Sequence, residues 1–177
     1  GQGGAMIREM QATVQPFEAA MADEVNALVR QVYANLQSAM PQWDLFSSGL
    51  GQLVAQAAHS EVLVVRQLGP KPGRIVGAVG YVPPGAPKRD FFAPEWPIVR
   101  LLAVSPAQRG QGLGRLLVQA CIDRAQRDGA PLLALHSSPV MAPALRLYTA
   151  MGFEQLRALP DMFGVPYALY VKHLAVA

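Results

Sequence analysis

The chain has 177 residues, 15 Lys and Arg against 12 Asp and Glu, a net charge of +3 and a hydrophobic content of 51%. That is enough for one domain with a sizeable core, residues 1–177, and it excludes a disordered polymer. No apolar run approaches the roughly 18 residues of a membrane span, and no basic run interleaved with aromatics marks a nucleic-acid surface, so neither partner is expected.

"GQGGAM" lacks the charged-then-apolar order of a signal peptide, and residues 1–5 read as an expression remnant ahead of Met6. "MIREM" follows as a short strand, and Val25, Leu28, Val29, Val32 and Leu36 then recur at helical spacing. "WDLFSSGLGQLVAQAAH" forms one or two short helical pieces. "EVLVVRQL" is rich in β-branched residues and reads as a strand, turning through "GPKPGR" into an antiparallel partner, "RIVGAVGYV". From Pro83 to Pro97 the prolines preclude regular structure, and this long connection is a candidate rim for a substrate site.

The middle of the chain is the most informative part. "IVRLLAV" (98–104) is a buried strand, "GQGLGRLLVQACIDRAQRDG" is a turn running into a helix that stops at Gly129, and "PLLALH" is a second buried strand. Together they form a βαβ unit, whose ligands gather where the helix begins. "SSPVMAPALRLYTAMGF" supplies a further helix with Gly152 as its stop, and "PYALYVKHLAV" a terminal strand. Within 98–104, strict alternation puts Arg100 on the face of Ile98 and Leu102, where a partnering acid or an acceptor site would explain its charge.

Gly110, Gly112 and Gly114 stand at that helix start, flanked by Arg109 and Arg115. A helix start offers unpaired backbone N–H groups and partial positive charge, so an anion, and most naturally a diphosphate, fits there. The known phosphate loops do not match. A nucleotide P-loop needs Gly-Lys-Ser/Thr, and here Gly114 precedes Arg115 and Leu116; a dinucleotide fingerprint needs glycine where Arg115 stands.

Arg109-Gly110-Gln111-Gly112-Leu113-Gly114 does fit the pattern Arg/Gln-x-x-Gly-x-Gly/Ala, and with "ALRLYTAMGF" downstream the chain resembles the GNAT superfamily of acyl-CoA-dependent N-acetyltransferases. The resemblance covers most of the chain. It implies an α/β GNAT fold: a central mixed, mostly antiparallel sheet with a parallel βαβ core unit, flanked by helices. It also implies acetyl-CoA as cosubstrate, with no metal. The backbone of Leu102, Ala103 and Val104 would bond the pantetheine arm, and the amides from Gly110 through Gln111, Gly112, Leu113 and Gly114 to Arg115 would cradle the pyrophosphate.

By the same resemblance Tyr148 is the general acid for the departing thiol. The family's frequent strand glutamate is replaced by Ile98, which leaves His136, Glu95 or water as the base. His136 is preferred because its reference pKa of about 6.5 suits proton removal. Met141 stands where some relatives carry a coenzyme-contacting asparagine. Tyr33, Trp43 and Phe46 either shape an acceptor pocket or pack in the core, and Cys121 falls on the apolar stripe of its helix as a core residue.

The expected reaction moves an acetyl group to a primary amine of a small molecule by direct attack in a ternary complex. A protein N-terminal or lysine acetyltransferase and a non-catalytic acyl-CoA sensor are the alternatives. One cysteine and no metal-ligand spacing fit a reducing, cytoplasmic setting, and the resemblance admits a homodimer.

Overall fold

A computed structural model describes residues 12–67 and 73–175. Seven strands form one sheet in the order β1-β2-β3-β4-β5-β7-β6: β1 (Val14–Pro16), β2 (Glu61–Arg66), β3 (Ile75–Val82), β4 (Ile98–Val104), β5 (Leu132–Ser137), β6 (Glu154–Met162) and β7 (Val165–His173). Every neighbouring pair is antiparallel except β4 and β5, which are parallel. The expected α/β sheet with one parallel core unit is therefore present. "MIREM" lies outside the described residues, as does the tip of the β2–β3 turn at 68–72, which Gln67 closes by donating its N–H to the Arg74 carbonyl at 3.0 Å.

Helix α1 (Ala22–Tyr33) buries Val25, Leu28 and Val29 along one stripe, as their spacing requires. It ends earlier than the periodicity suggests, and Leu36 falls in a 3₁₀ segment, Ala34–Ala39. Glu24 in its first turn accepts a 2.7 Å bond from the Ile75 N–H, which pins the helix to β3. The "WDLFSS…" region gives two pieces, α2 (Trp43–Ser48) and α3 (Gln52–Ala55). These three helices cover one sheet face, where Val25, Phe46 and Leu53 meet Val64, Ala78 and Ala103.

The opposite face is covered by α4 (Leu113–Arg127) and α5 (Ala142–Ala150). Leu117, Val118 and Cys121 of α4 pack on Val79, Val99 and Leu133. Both helices stop as their glycines demand. Gly129 and Gly152 have φ of +70° and +94°, and the next residue's N–H reaches back, from Ala130 to Ala125 and from Phe153 to Tyr148, each at 3.0 Å.

Two features depart from the sequence reading. Strand β6 was not expected, because "EQLRALPDM" lacks alternation and contains a proline. It is the exposed edge strand, where a missing N–H at Pro160 costs the sheet no ladder bond. The β6–β7 turn places Phe163 and Gly164 both at positive φ, 57° and 82°, the geometry of a two-residue hairpin turn.

The second departure concerns β4. Leu101 has φ +52°, and Ala78 and Gly80 of β3 pair with Ala103 and Arg100, so β4 holds one extra residue there. This bulge breaks the alternation. Arg100 stays on the face of Ile98, but Leu102 joins Val99 on the opposite face, correcting the assignment of Arg100 and Leu102 to one side.

Candidate active site

The bulge shapes the site. β4 and β5 share a single register pair, Ile98 with Ala134, and beyond it their carboxyl-terminal halves diverge. The opened wedge contains a cavity of about 330 Å³ that reaches Arg100 and Leu102 on one side, His136 on the other and Tyr148 of α5. This is the volume range of small-molecule pockets. A groove of about 390 Å³ continues from it, sharing Leu102 and Ala144, and runs past Val104 to the start of α4.

At the groove's far end Arg109, Gly110, Gly112, Leu113, Gly114 and Arg115 form the lining. The three glycines have different jobs. Gly110 and Gly112 have φ of +82° and +79°, and a Cβ on either would meet nothing within 4 Å, so it is backbone conformation that requires glycine there. Gly114 has ordinary φ, but a Cβ would lie 2.9 Å from Leu147 Cδ2, so this glycine lets α5 approach α4. Of the three, only Gly110 and Gly112 would point a Cβ into open space.

Gly112 caps α4 and accepts from the Leu116 N–H at 3.0 Å, which leaves the amides of Leu113, Gly114 and Arg115 as the first, unpaired donors of the helix. Arg109 and Arg115 are exposed at the same place. Gln111 is exposed in the turn but lines a smaller hollow beside Arg66 and Gln67.

Tyr148 is 6% exposed, with its ring 5.7 Å from Phe153, and it belongs both to the core and to the cavity wall. Burial, with smaller contributions from Tyr33 and Cys121, pushes its hydroxyl well above the usual phenol range. It therefore stays protonated and able to donate. Cys121 is fully buried and its thiol is pushed up to about 12, in keeping with a packing residue.

His136, the last residue but one of β5, sits inside an aromatic cage: its ring lies 5.2 Å from Phe91, 5.7 Å from Phe92 and 5.6 Å from Tyr167, stacked on the last. Burial, then the charges of Arg89 and Arg100, hold its pKa down at about 4. The expectation of a value near 6.5 is corrected accordingly. At neutral pH His136 is an uncharged imidazole and a weak base. Glu95 is exposed on the loop and outside both cavities.

The remaining candidates sort clearly. Tyr33 and Phe46 line the cavity, whereas Trp43 lies outside it, tilted against Phe46 at 5.6 Å. Tyr33 donates to the Leu102 carbonyl at 2.7 Å. Met141 also lines the cavity, its sulfur accepting from Ser137 Oγ at 3.9 Å. Arg100 has no acidic partner among the described residues; its Nη1 is buried without any hydrogen bond.

Several wall residues escaped the sequence reading, Arg89 and Phe163 among them. Arg89 comes from the proline-rich connection, which Lys88 staples by donating to the carbonyls of Pro83, Ala86 and Pro94, and Phe163 comes from the unexpected hairpin turn. The prolines did flag the first as a rim. "FG" before an alternating strand was the only available signal for the second.

No group of three His, Cys, Asp or Glu side chains among the described residues is arranged to hold a metal, and no helix there is long and apolar enough to cross a membrane.

Comparison with known proteins agrees with this architecture. The chain is 42% identical to the streptothricin acetyltransferase of Streptomyces lavendulae over 52 residues, 29% of this chain and 28% of that protein. It spans less than half the length of the curated relatives it matches. Among solved structures, the histone acetyltransferase HPA2 and related acetyltransferase from Corynebacterium glutamicum superposes with a TM-score of 0.71 at 24% identity, over 95% of this chain and 99% of that one. The yncA protein of Salmonella typhimurium, solved with its cofactor acetyl-CoA, superposes with a TM-score of 0.67 at 21% identity, over 94% and 95%. The acetyltransferase (GNAT) family model matches residues 29–153, and with the glycine turn, the opened β4–β5 wedge and the tyrosine helix inside that span, the chain belongs to this family.

Proposed function

We propose that the protein is an acetyl-CoA-dependent N-acetyltransferase that acetylates a primary amine of a small molecule by direct attack in a ternary complex. The observation that carries this reading is one continuous path from the glycine turn at the start of α4, along β4, to the enclosed wall formed by Tyr148. The residues present suit the coenzyme. The open space outside Gly110 and Gly112 and the unpaired amides of Leu113, Gly114 and Arg115 match a pyrophosphate, with Arg109 and Arg115 adding charge. Leu102, Ala103 and Val104 lie on the part of β4 that has parted from β5, and their backbone would bond the pantetheine arm as an added strand does.

When bound, the coenzyme supplies an acetyl thioester and leaves as a thiol. In this reading Tyr148, kept protonated by burial, donates the proton that the departing sulfur needs and is reprotonated from solvent. His136, neutral at physiological pH, accepts a hydrogen bond from the acceptor amine and orients it, while the amine's proton passes to solvent. A cytoplasmic setting goes with acetyl-CoA, and a homodimer is part of the same reading.

The test is the melting midpoint of the purified chain with acetyl-CoA, with ATP and NAD as controls. Saturation at about 100 times Kd stabilises by roughly 2.7 kcal/mol, a rise of about 5 to 10 °C for this size. A rise with acetyl-CoA alone, followed by amine-dependent release of free thiol, supports the enzyme. A rise without turnover for any amine supports the acyl-CoA sensor instead, and no rise removes the coenzyme and with it the function.

A further inference from the structure

The cavity wall contains two guanidinium groups, Arg89 and Arg100, and no Asp or Glu. Arg100 projects from β4 beside the Leu101 bulge, and its Nη1 is shielded from solvent without a hydrogen-bond partner. A buried guanidinium without a counter-charge is costly, so the folded chain keeps an unmet demand for an anion at this point. Arg89 enters from the stapled loop. It lies 5.3 Å over the Phe91 ring and donates weakly to Met162 Sδ at 3.6 Å, and it forms no ion pair among the described residues.

The nearby charges do not relieve this. Lys88 spends its ammonium on three loop carbonyls, and Glu95 lies outside the cavity. His136 is caged between Phe91, Phe92 and Tyr167. An acceptor whose only charge is an ammonium would enter a site of its own sign. The rest of the wall is mainly apolar and aromatic, with Phe46, Leu50, Met141 and Phe163, and adds the uncharged polar side chains of Gln52, Gln56 and Ser137.

We infer that the acceptor is an amine that also carries a carboxylate, in its simplest form an α-amino acid with an apolar side chain, and that Arg100 and Arg89 hold the carboxylate. A guanidinium offers a planar fork of N–H donors that matches a carboxylate, so the pair fixes orientation as well as charge. Phe46, Leu50 and Phe163 take the apolar side chain. A protein N-terminus or a lysine side chain presents amides where a free amino acid presents its carboxylate, and would leave both guanidiniums unpaired. This inference rests on the acetyl-transfer reading above and names its substrate class.

The test compares phenylalanine, phenylalaninamide and phenethylamine, which share a body and an amine but differ at the carboxylate; leucine and methionine with their amides form a second set. Thiol release is followed with saturating acetyl-CoA. The carboxylates are expected to have kcat/KM at least tenfold above their amides. Arg100→Met should raise KM for the acids at least tenfold and bring the acid-to-amide ratio of kcat/KM down towards one. Arg89→Gln, at an exposed residue, should move the same ratio in the same direction if Arg100→Met fails to fold.

Equal turnover of acid and amide overturns the inference while leaving the acetyltransferase standing. An Arg100→Met loss of kcat that is equal for both also overturns it, assigning Arg100 to the acetyl group instead. If acetyl-CoA produces no thermal shift, the acetyl-transfer reading fails by itself. The amino acids are then tested alone: stabilisation of the wild-type chain by leucine or phenylalanine but not by their amides, abolished in Arg89→Gln, keeps the carboxylate site, and its absence removes that too.

Discussion

The Tyr33 hydroxyl donates to the Leu102 carbonyl at 2.7 Å, a bond that ties the last residue of α1 to the bulged half of β4 across 69 positions of sequence. It holds the first helix against the strand edge that the coenzyme is expected to follow. Burial raises the Tyr33 phenol above its ordinary range, so the donor persists over the accessible pH range. Tyr33→Phe should cost about 1 kcal/mol, the net worth of one such bond. For a chain of this size the melting midpoint should fall by about 2 to 4 °C, read by calorimetry. An unchanged midpoint would mean that the contact contributes nothing to holding α1 in place.

Tyr148→Phe keeps the ring in its contact with Phe153 and removes only the hydroxyl. Turnover should fall about 100-fold or more, the usual worth of a positioned acid, while the acetyl-CoA thermal shift stays within a degree of wild type. A variant with full activity would show that the proton reaches the sulfur by another route.

Gly112 and Gly114 should fail differently. Gly112→Ala meets no neighbour but must adopt φ near +79°, at a cost of about 1 kcal/mol, and it disturbs the amides it orients. Gly114→Val drives a side chain into Leu147 and should separate α5 from α4. The expected pattern from titration calorimetry and melting is weaker coenzyme binding with modest destabilisation for the first, and larger destabilisation for the second. Equal losses would contradict the division of roles.

The enclosed His136 makes stability depend on pH. Its folded pKa of about 4 lies below the value of about 6.5 expected in the unfolded chain. Between those values the unfolded chain binds more protons, so stability should be full above pH 6.5 and lost as pH falls towards 4. The contribution is at most ~3 kcal/mol, at 1.36 kcal/mol per pKa unit. His136→Phe retains the aromatic cage without the titration. Compared at pH 7.0, 5.5 and 4.5, the urea midpoint of the wild type should fall relative to that of the variant as the pH falls. A constant difference would place the imidazole in contact with solvent.

Much of this protein can be read locally from the sequence. The βαβ unit, the helix-stop glycines and the glycine turn depend on periodicity, on φ > 0 and on unpaired amides at a helix start, all properties of neighbouring residues. The tyrosine helix could be placed for the same reason. The position of His136 at the end of β5 was also legible, but its protonation was not, because the pKa is set by Phe91, Phe92, Tyr167 and two arginines from other parts of the chain. Strand β6 stayed hidden because an edge strand needs only one partner and exposes most of its side chains, so it shows neither alternation nor a buried run.

The tertiary structure alone decided what surrounds Arg100 and which way Leu102 faces. One extra residue at Leu101 lets two successive side chains face the same way, an outcome that depends on pairing with β3 and that no alternation pattern in β4 announces. Beside that local slip β4 and β5 part after a single register pair, and a guanidinium stands in the cavity between them without an acid. Sequence determined the unpaired amides at the helix start; the tertiary structure determined the charge of the place where the proposed acceptor would lie.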